Sequence, residues 1–166
     1  MNQHNLGTFK ENFIKQYIVA RNQIIPSYFA MQRRWRADSE GLVYAMSSIE
    51  IYAEFTRTDM WHAVMIGRVE PLTFRCDVSF GRIVLRARRI EENFETYAVN
   101  FRYICEDESA GQSIAKDFTI AISIAFQDSV NWNERLDNPL GLKVVGYEIE
   151  SAHGDPLNRE WLRTMQ

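Results

Sequence analysis

The hydrophobic positions change period near residue 67, and the change divides the chain into a helical part and a stranded part. Before it, Phe9, Phe13, Tyr17, Ala20 and Ile24 recur at spacings of four, four, three and four, one stripe of a 3.6-residue helix that Ile14, Ile18 and Ile25 widen. Lys10, Glu11, Lys15 and Asn22 are expected largely on the other side. Pro26 then either kinks this helix or opens a second one, and a turn follows. The periodicity stops around Arg36-Ala37-Asp38-Ser39-Glu40-Gly41. Ser47 and Glu50 make a capping box ahead of Ile49, Tyr52, Ala53 and Phe55, so a further helix is predicted from about Ser48 to Thr58.

After Gly67 the period is two. Ile83, Leu85 and Ala87 alternate with Arg82, Arg86 and Arg88, and Glu91-Glu92-Asn93 marks a tight connection. Tyr97, Val99, Phe101, Tyr103 and Cys105 then share one face, opposite Thr96, Asn100 and Arg102. The clearest run sets Phe118, Ile120, Ile122, Ile124 and Phe126 against Asp117, Thr119, Ala121, Ser123, Ala125 and Gln127. Leu72 to Phe80 adds a less regular strand, and Leu142 to Glu150 completes the set after the polar linker Asp128 to Asn138.

Helices followed by consecutive strands with one apolar face each predict an α+β domain, an antiparallel meander whose buried face the N-terminal helices cover. The intervals around Glu92 and Gly111 are too short for the crossover helices of a parallel sheet. Arg82, Arg86, Arg88 and Arg102 on the open face read as a solvated sheet surface, not a nucleic-acid platform, because the aromatics that would stack on bases lie on the buried side. Arg33, Arg34 and Arg36 read as a solvated helix end.

Composition narrows this further. The 166 residues, 46% of them hydrophobic, suffice for one substantial core. A net charge of −3 excludes both nucleic-acid binding through bulk charge and an acidic disordered chain. No apolar run approaches the roughly 18 residues of a spanning helix, and Met1-Asn2-Gln3-His4 does not begin a signal peptide. His4, His62 and His153 each lack a second ligand at metal-binding spacing, and no phosphate cradle, nucleophile elbow or CxxC pair is present. No catalytic, cofactor-binding or metal-binding residue is therefore assigned. Cys76 and Cys105 are either two buried thiols or, in an oxidising compartment, a disulfide if their Cα atoms come within about 7 Å; the inward strand position of Cys105 already explains it, which favours unpaired thiols.

Two further segments carry local signals. In Asn138-Pro139-Leu140-Gly141, Pro139 fixes φ, Asn138 can bond its own backbone, and Gly141 permits the positive φ that redirects the chain into the last strand. Past Ser151, Asp155 as N-cap and Pro156 at the first helical position predict a short terminal helix that docks Leu157, Trp161 and Leu162.

The run from Asn138 to Tyr147, Asn-Pro-Leu-Gly-Leu-Lys-Val-Val-Gly-Tyr, resembles the Asn-Pro-Leu-Gly and terminal-strand motif of the VirB-eight family, inner-membrane scaffold subunits of bacterial type IV secretion systems. Phe13 to Arg21 is similar to the first periplasmic helix of that family, in which a Tyr-Val-x-Ala-Arg-like run is typical. The resemblance implies a nuclear-transport-factor-like (cystatin-like) fold, with N-terminal helices packed on one face of a curved antiparallel sheet. It implies a single periplasmic domain over residues 1–150, with 151–166 as an extension. An upstream transmembrane helix would anchor the domain once in the inner membrane. It implies no catalysis and no cofactor. Its partners would be a second copy, as a weak homodimer, and other secretion subunits, without nucleic acid. Asn138, Pro139, Leu140 and Gly141 would shape the loop before the last strand, while Tyr17, Arg21, Val144 and Tyr147 would form a self-association or partner surface. The alternative is an enzyme or small-ligand binder that uses the apolar cone between helices and sheet. It ranks lower because no carboxylate or imidazole is assigned to the inward strand positions.

Overall fold

The computed structural model describes residues 3–67, 72–108, 110–126, 141–151 and 154–158. The apolar stripe of the first third forms α1 (Gln3–Asn22). It ends where Ile24 leaves the helix to make an antiparallel bridge with Cys76, each backbone N–H donating to the other carbonyl at 2.9 Å. Pro26 neither kinks α1 nor opens a helix. It precedes Ser27, whose hydroxyl accepts from the Ala30 N–H and caps α2 (Tyr28–Trp35), so the second helix begins two residues after the proline. Three short helices follow, α3 (Leu42–Met46), α4 (Ile49–Phe55) and α5 (Asp59–His62), the last running into a π-helical turn at Ala63–Gly67.

The cap of α4 is Ser48, one residue later than the capping box predicts. Its hydroxyl accepts from the Ile51 N–H, while the Ser47 hydroxyl donates back to the Val43 carbonyl. The helix predicted from Ser48 to Thr58 ends earlier, at Phe55. Thr58 bonds the Phe55 carbonyl and accepts from the Trp61 N–H, so it closes one helix and caps the next.

Among the described residues four strands form one antiparallel sheet in the order of the chain: β1 (Phe74–Arg89), β2 (Phe94–Asp107), β3 (Gln112–Phe126) and β4 (Leu142–Ile149). The expected separate strand at Leu72 to Phe80 is the first half of β1. Gly81 lies at the junction of its two halves, where a Cβ would stand 3.2 Å from the Asn100 carbonyl oxygen. Register shifts after Phe80, Leu85 and Ser123 bend the sheet. The turn from β1 to β2 is a single 3₁₀ turn, Ile90–Glu92, closed by Asn93 in the left-handed region at φ 50°. Helices lie on one face, giving the α+β meander that the alternation predicts and the curved, nuclear-transport-factor-like arrangement that the family resemblance implies.

Inward parity holds through β2 and β3: Tyr97, Val99, Phe101, Tyr103, Cys105, Phe118, Ile120, Ile122 and Ile124 are all buried. Against them sit Phe13, Ile14, Tyr17 and Ile18 of α1. Trp35 fills the space between helices, donating to the Ala20 carbonyl at 2.9 Å and meeting Phe55 edge-on at 5.0 Å. Complete burial of such side chains contributes about 1.5–3 kcal/mol each. The outer half of β1 is different. Val84 and Leu85 remain 46% and 42% exposed, so the alternation at Ile83, Leu85 and Ala87 does not mark a fully covered face there.

Cys76 and Cys105 are joined as a disulfide, which corrects the expectation of unpaired thiols. The register explains the pairing. The Cys76 backbone N–H and C=O both turn toward Ile24, so Cys76 opposes Cys105 as a non-hydrogen-bonded pair, the position at which strands approach most closely. Among the described residues no helix is long and apolar enough to cross a membrane.

Candidate functional site

Tyr17, Arg21 and Asn22 lie one helical turn apart or adjacent on the packed side of α1, which directs them together at the sheet. Asn22, expected on the polar side of α1, is fully buried, and the Tyr103 hydroxyl donates to its carbonyl. The Asn22 side-chain amide donates to the Ile18 carbonyl at 3.0 Å and to the Tyr147 hydroxyl at 3.2 Å. Tyr147, on β4, meets Tyr17 edge-on at 5.9 Å. The Arg21 guanidinium stacks 4.3 Å from the Tyr147 ring centre and 5.6 Å from that of Phe55.

Arg21 faces a carboxylate from the other end of the chain. Its Nη1 donates to Asp155 Oδ1 at 3.1 Å and its Nη2 to Asp155 Oδ2 at 2.7 Å, the bidentate fork that only arginine presents. Asp155 is therefore the counterion of Arg21. Its Oδ1 also accepts from the Leu157 N–H at 2.9 Å, and Asn158 N–H bonds the Asp155 carbonyl at 3.0 Å, so the expected capping geometry is present as one turn at 155–158. Leu157 is fully buried against the core; Trp161 and Leu162 lie outside the described residues.

Burial opposes charge on Arg21, but Asp155 outweighs it and holds the guanidinium above its ordinary value. Burial likewise raises Asp155, and the charge and hydrogen bonds of Arg21, with the Leu157 N–H, pull it below the ordinary 3.8. Burial pushes the phenols of Tyr17, Tyr103 and Tyr147 up, which keeps them neutral.

The four side chains expected to form a partner surface are thus placed inside a single chain. Tyr17 and Val144 are fully buried, and Arg21 and Tyr147 are 4% and 9% exposed. Within the chain, Arg21 and Tyr147 bring together α1, β4 and Asp155 of the C-terminal segment. Val144 pins the helices to β4, its carbonyl accepting from Ser48 N–H at 2.9 Å beside a parallel bridge to Ser47. Gly141 enters β4 with φ 59°, the left-handed conformation its place in the loop requires. Asn138, Pro139 and Leu140 lie outside the described residues.

A second ionic cluster joins the first half of α1 to the β1–β2 turn. Lys10 Nζ lies 2.5 Å from Glu95 Oε1, and Arg88 Nε donates to Glu95 Oε2 at 2.9 Å. Both Lys10 and Glu95 are buried, whereas Lys10 is expected on the polar side of α1 and no carboxylate is expected inside the sheet. Glu95 is two residues before Tyr97, so one further step of the same alternation finds it. Three further arginines are engaged: Arg102 pairs with Asp117 at 3.0 Å, Arg86 with Glu150, and Arg34 donates to Gln23 Oε1 at 3.1 Å, tying α2 to the end of α1 instead of standing as a solvated helix end.

A cavity of about 370 Å³ opens over the β1–β2 turn, lined by Arg88, Arg89, Ile90, Glu91 and Glu92. The space between helices and sheet is occupied by Tyr17, Trp35, Phe55, Phe101, Tyr103 and Phe118, and His62 is exposed at the end of α5. Among the described residues no cluster of three or more potential ligands could hold a metal ion.

The same fold occurs in solved components of type IV secretion systems. VirB8 of Agrobacterium tumefaciens matches with a TM-score of 0.67 at 14% identity, over 92% of this chain and 96% of that one. A TrwG component of Bartonella birtlesii matches with a TM-score of 0.65 at 19% identity, over 86% and 90% of the two chains. A periplasmic fragment of TraM matches with a TM-score of 0.62 at 12% identity, over 88% and 98%. No family model and no curated protein matches the sequence. At these identities the likeness is one of fold, and it coincides with the family that the motifs at Phe13 to Arg21 and Asn138 to Tyr147 resemble.

Proposed function

We propose that this chain is a non-catalytic structural and assembly subunit of a type IV secretion system. Residues 1–150 form its periplasmic domain, which self-associates and contacts other channel components, and residues 151–166 extend it. One observation carries the reading: the fold is shared almost end to end with TrwG and VirB8, over 86% and 92% of this chain. The disulfide between Cys76 and Cys105 supports a place in an oxidising compartment such as the periplasm. Single-pass anchoring in the inner membrane belongs to the same proposal.

The interior favours scaffold over enzyme. The buried carboxylate Glu95 is paired with Lys10 and Arg88, and aromatic side chains fill the cone that a substrate would need. Tyr17, Arg21, Val144 and Tyr147 would act in assembly by holding α1 and β4 in a fixed relation, so that the outward sides of those elements present one rigid surface.

Sedimentation of the domain from micromolar to millimolar concentration, together with binding assays against neighbouring secretion subunits, tests the proposal. Concentration-dependent dimers and capture of at least one neighbour are expected. A strict monomer at every concentration that binds no neighbour would overturn it.

A further inference from the structure

After β4 the chain leaves the sheet. Gly154 turns it at φ 76°, and residues 155–158 return to the seam between α1 and α5. The segment is held as a bound peptide is held. A carboxylate enters the Arg21 fork, an apolar side chain two residues later is fully buried, and the backbone is fixed at its end. There the Leu157 carbonyl accepts from Met60 N–H at 2.9 Å and Asn158 Oδ1 accepts from Asp59 N–H at 3.2 Å. None of these contacts is a strand pairing. On the receiving side Arg21 has partners other than the segment: it stacks on the Tyr147 ring and donates to Asn22 Oδ1 at 3.1 Å.

We propose that this seam is a recognition site for an acidic turn segment of another protein chain, one with a carboxylate followed two residues later by a leucine, and that the chain's own Asp155–Leu157 keeps it closed in cis. Arg21 reads the carboxylate through two N–H donors, and the pocket that holds Leu157 reads the apolar side chain. A competitor in trans sees only the fraction of molecules whose own segment is released, so its apparent affinity is reduced by that fraction.

The probe is a labelled synthetic peptide with the sequence of residues 151–158, titrated into the full chain and into the full-length double variant Asp155→Asn, Leu157→Ala. Removal of the competitor is expected to tighten binding by about tenfold or more, and the same peptide with Asn in place of Asp is expected to lose about tenfold, the worth of a charge-assisted bond. Equal binding by the two folded proteins, or indifference to the Asp-to-Asn change, would overturn the proposal. Hydrogen exchange on the unaltered chain decides independently of whether the variant folds. The Asp59, Met60 and Leu157 amides are expected to exchange through a local opening, faster than the amides of β2 and β3; exchange of all of them only by global unfolding would overturn it. The secretion-subunit reading plays no part in either measurement, so each idea can fail without the other.

Discussion

Helix α1 carries a buried cation toward each end of its packed face, and the two are held in different ways. Lys10 and Arg21 are eleven positions apart, about 16 Å along a helix. Arg21 is enclosed: a bidentate carboxylate, two aromatic rings and the Asn22 amide oxygen surround it, with side-chain exposures of 5% for Arg21 and 15% for Asp155. Lys10 shares Glu95 with Arg88, whose side chain is 55% exposed, and its ammonium sits 5.0 Å from the Phe126 ring centre. A planar fork locks one geometry, whereas an ammonium on a four-carbon stem tolerates several. The Arg21 end therefore defines position, and the Lys10 end mainly neutralises charge where the sheet meets the start of the helix.

The sharpest way to break this contrast is Arg21→Met in the full chain. It strands the Asp155 carboxylate and removes the stack on Tyr147, so a loss of about 3–5 kcal/mol is expected in urea denaturation. A loss below that of the Glu95 variant described next would show that the enclosed pair is not the stronger constraint.

The disulfide supports the Arg21 end, because Ile24 at the close of α1 pairs with Cys76 itself. Reduction is expected to cost about 2–4 kcal/mol, for a bridge that closes a loop of 29 residues. Comparison of denaturation with and without reductant checks this. At the other end, Glu95→Gln removes the charge shared by Lys10 and Arg88. Arg88 already reaches water, and Lys10 can extend its stem toward solvent, so a smaller loss of about 2 kcal/mol is expected.

Acid separates the two ends by pH window. Burial would raise Glu95, but hydrogen bonds and charge from Lys10 and Arg88 lower it below the ordinary 4.5, as Arg21 lowers Asp155 below 3.8. A carboxylate depressed in the folded state stabilises fully above its unfolded value and loses that contribution as pH falls through its folded value. Stability is therefore expected to fall below about pH 4.5. In Glu95→Gln the onset should move toward pH 3.8, leaving Asp155 as the main source of the fall. An unchanged acid limb in that variant would remove Glu95 from the argument.

How legible these features were depended on the range of the contact. The alternation of β2 and β3 was readable because helices cover the face that their odd or even residues share. The outer half of β1 has the same alternation, yet no helix lies over it, so its pattern signals strand without signalling burial. Residue type assigned Lys10 to the polar side and passed over Glu95, although the alternation from Tyr97 reaches Glu95 and Lys10 lies one turn from Phe13 and Ile14. Ser47 and Ser48 stand side by side, and only the backbone decides which of them caps. Parity turned Cys105 inward, but its partner depends on the register of β1, which no single strand encodes. Arg21 and Asp155 are separated by 134 residues, so local periodicity holds no trace of their meeting; the α1 motif marked only one half of the pair.

The mildest change gives the finest distinction. Tyr147→Phe keeps the ring that stacks on Arg21 and meets Tyr17, and removes only the hydroxyl that accepts from the Asn22 amide at 3.2 Å. Asn22 retains its bond to the Ile18 carbonyl, so a loss of about 1 kcal/mol is expected. Because that hydroxyl points into the interior, dimerisation measured by sedimentation should not change beyond this stability effect. Should dimer affinity collapse while the fold remains intact, Tyr147 would have to contact the second copy directly, and its role would shift from internal support to interface.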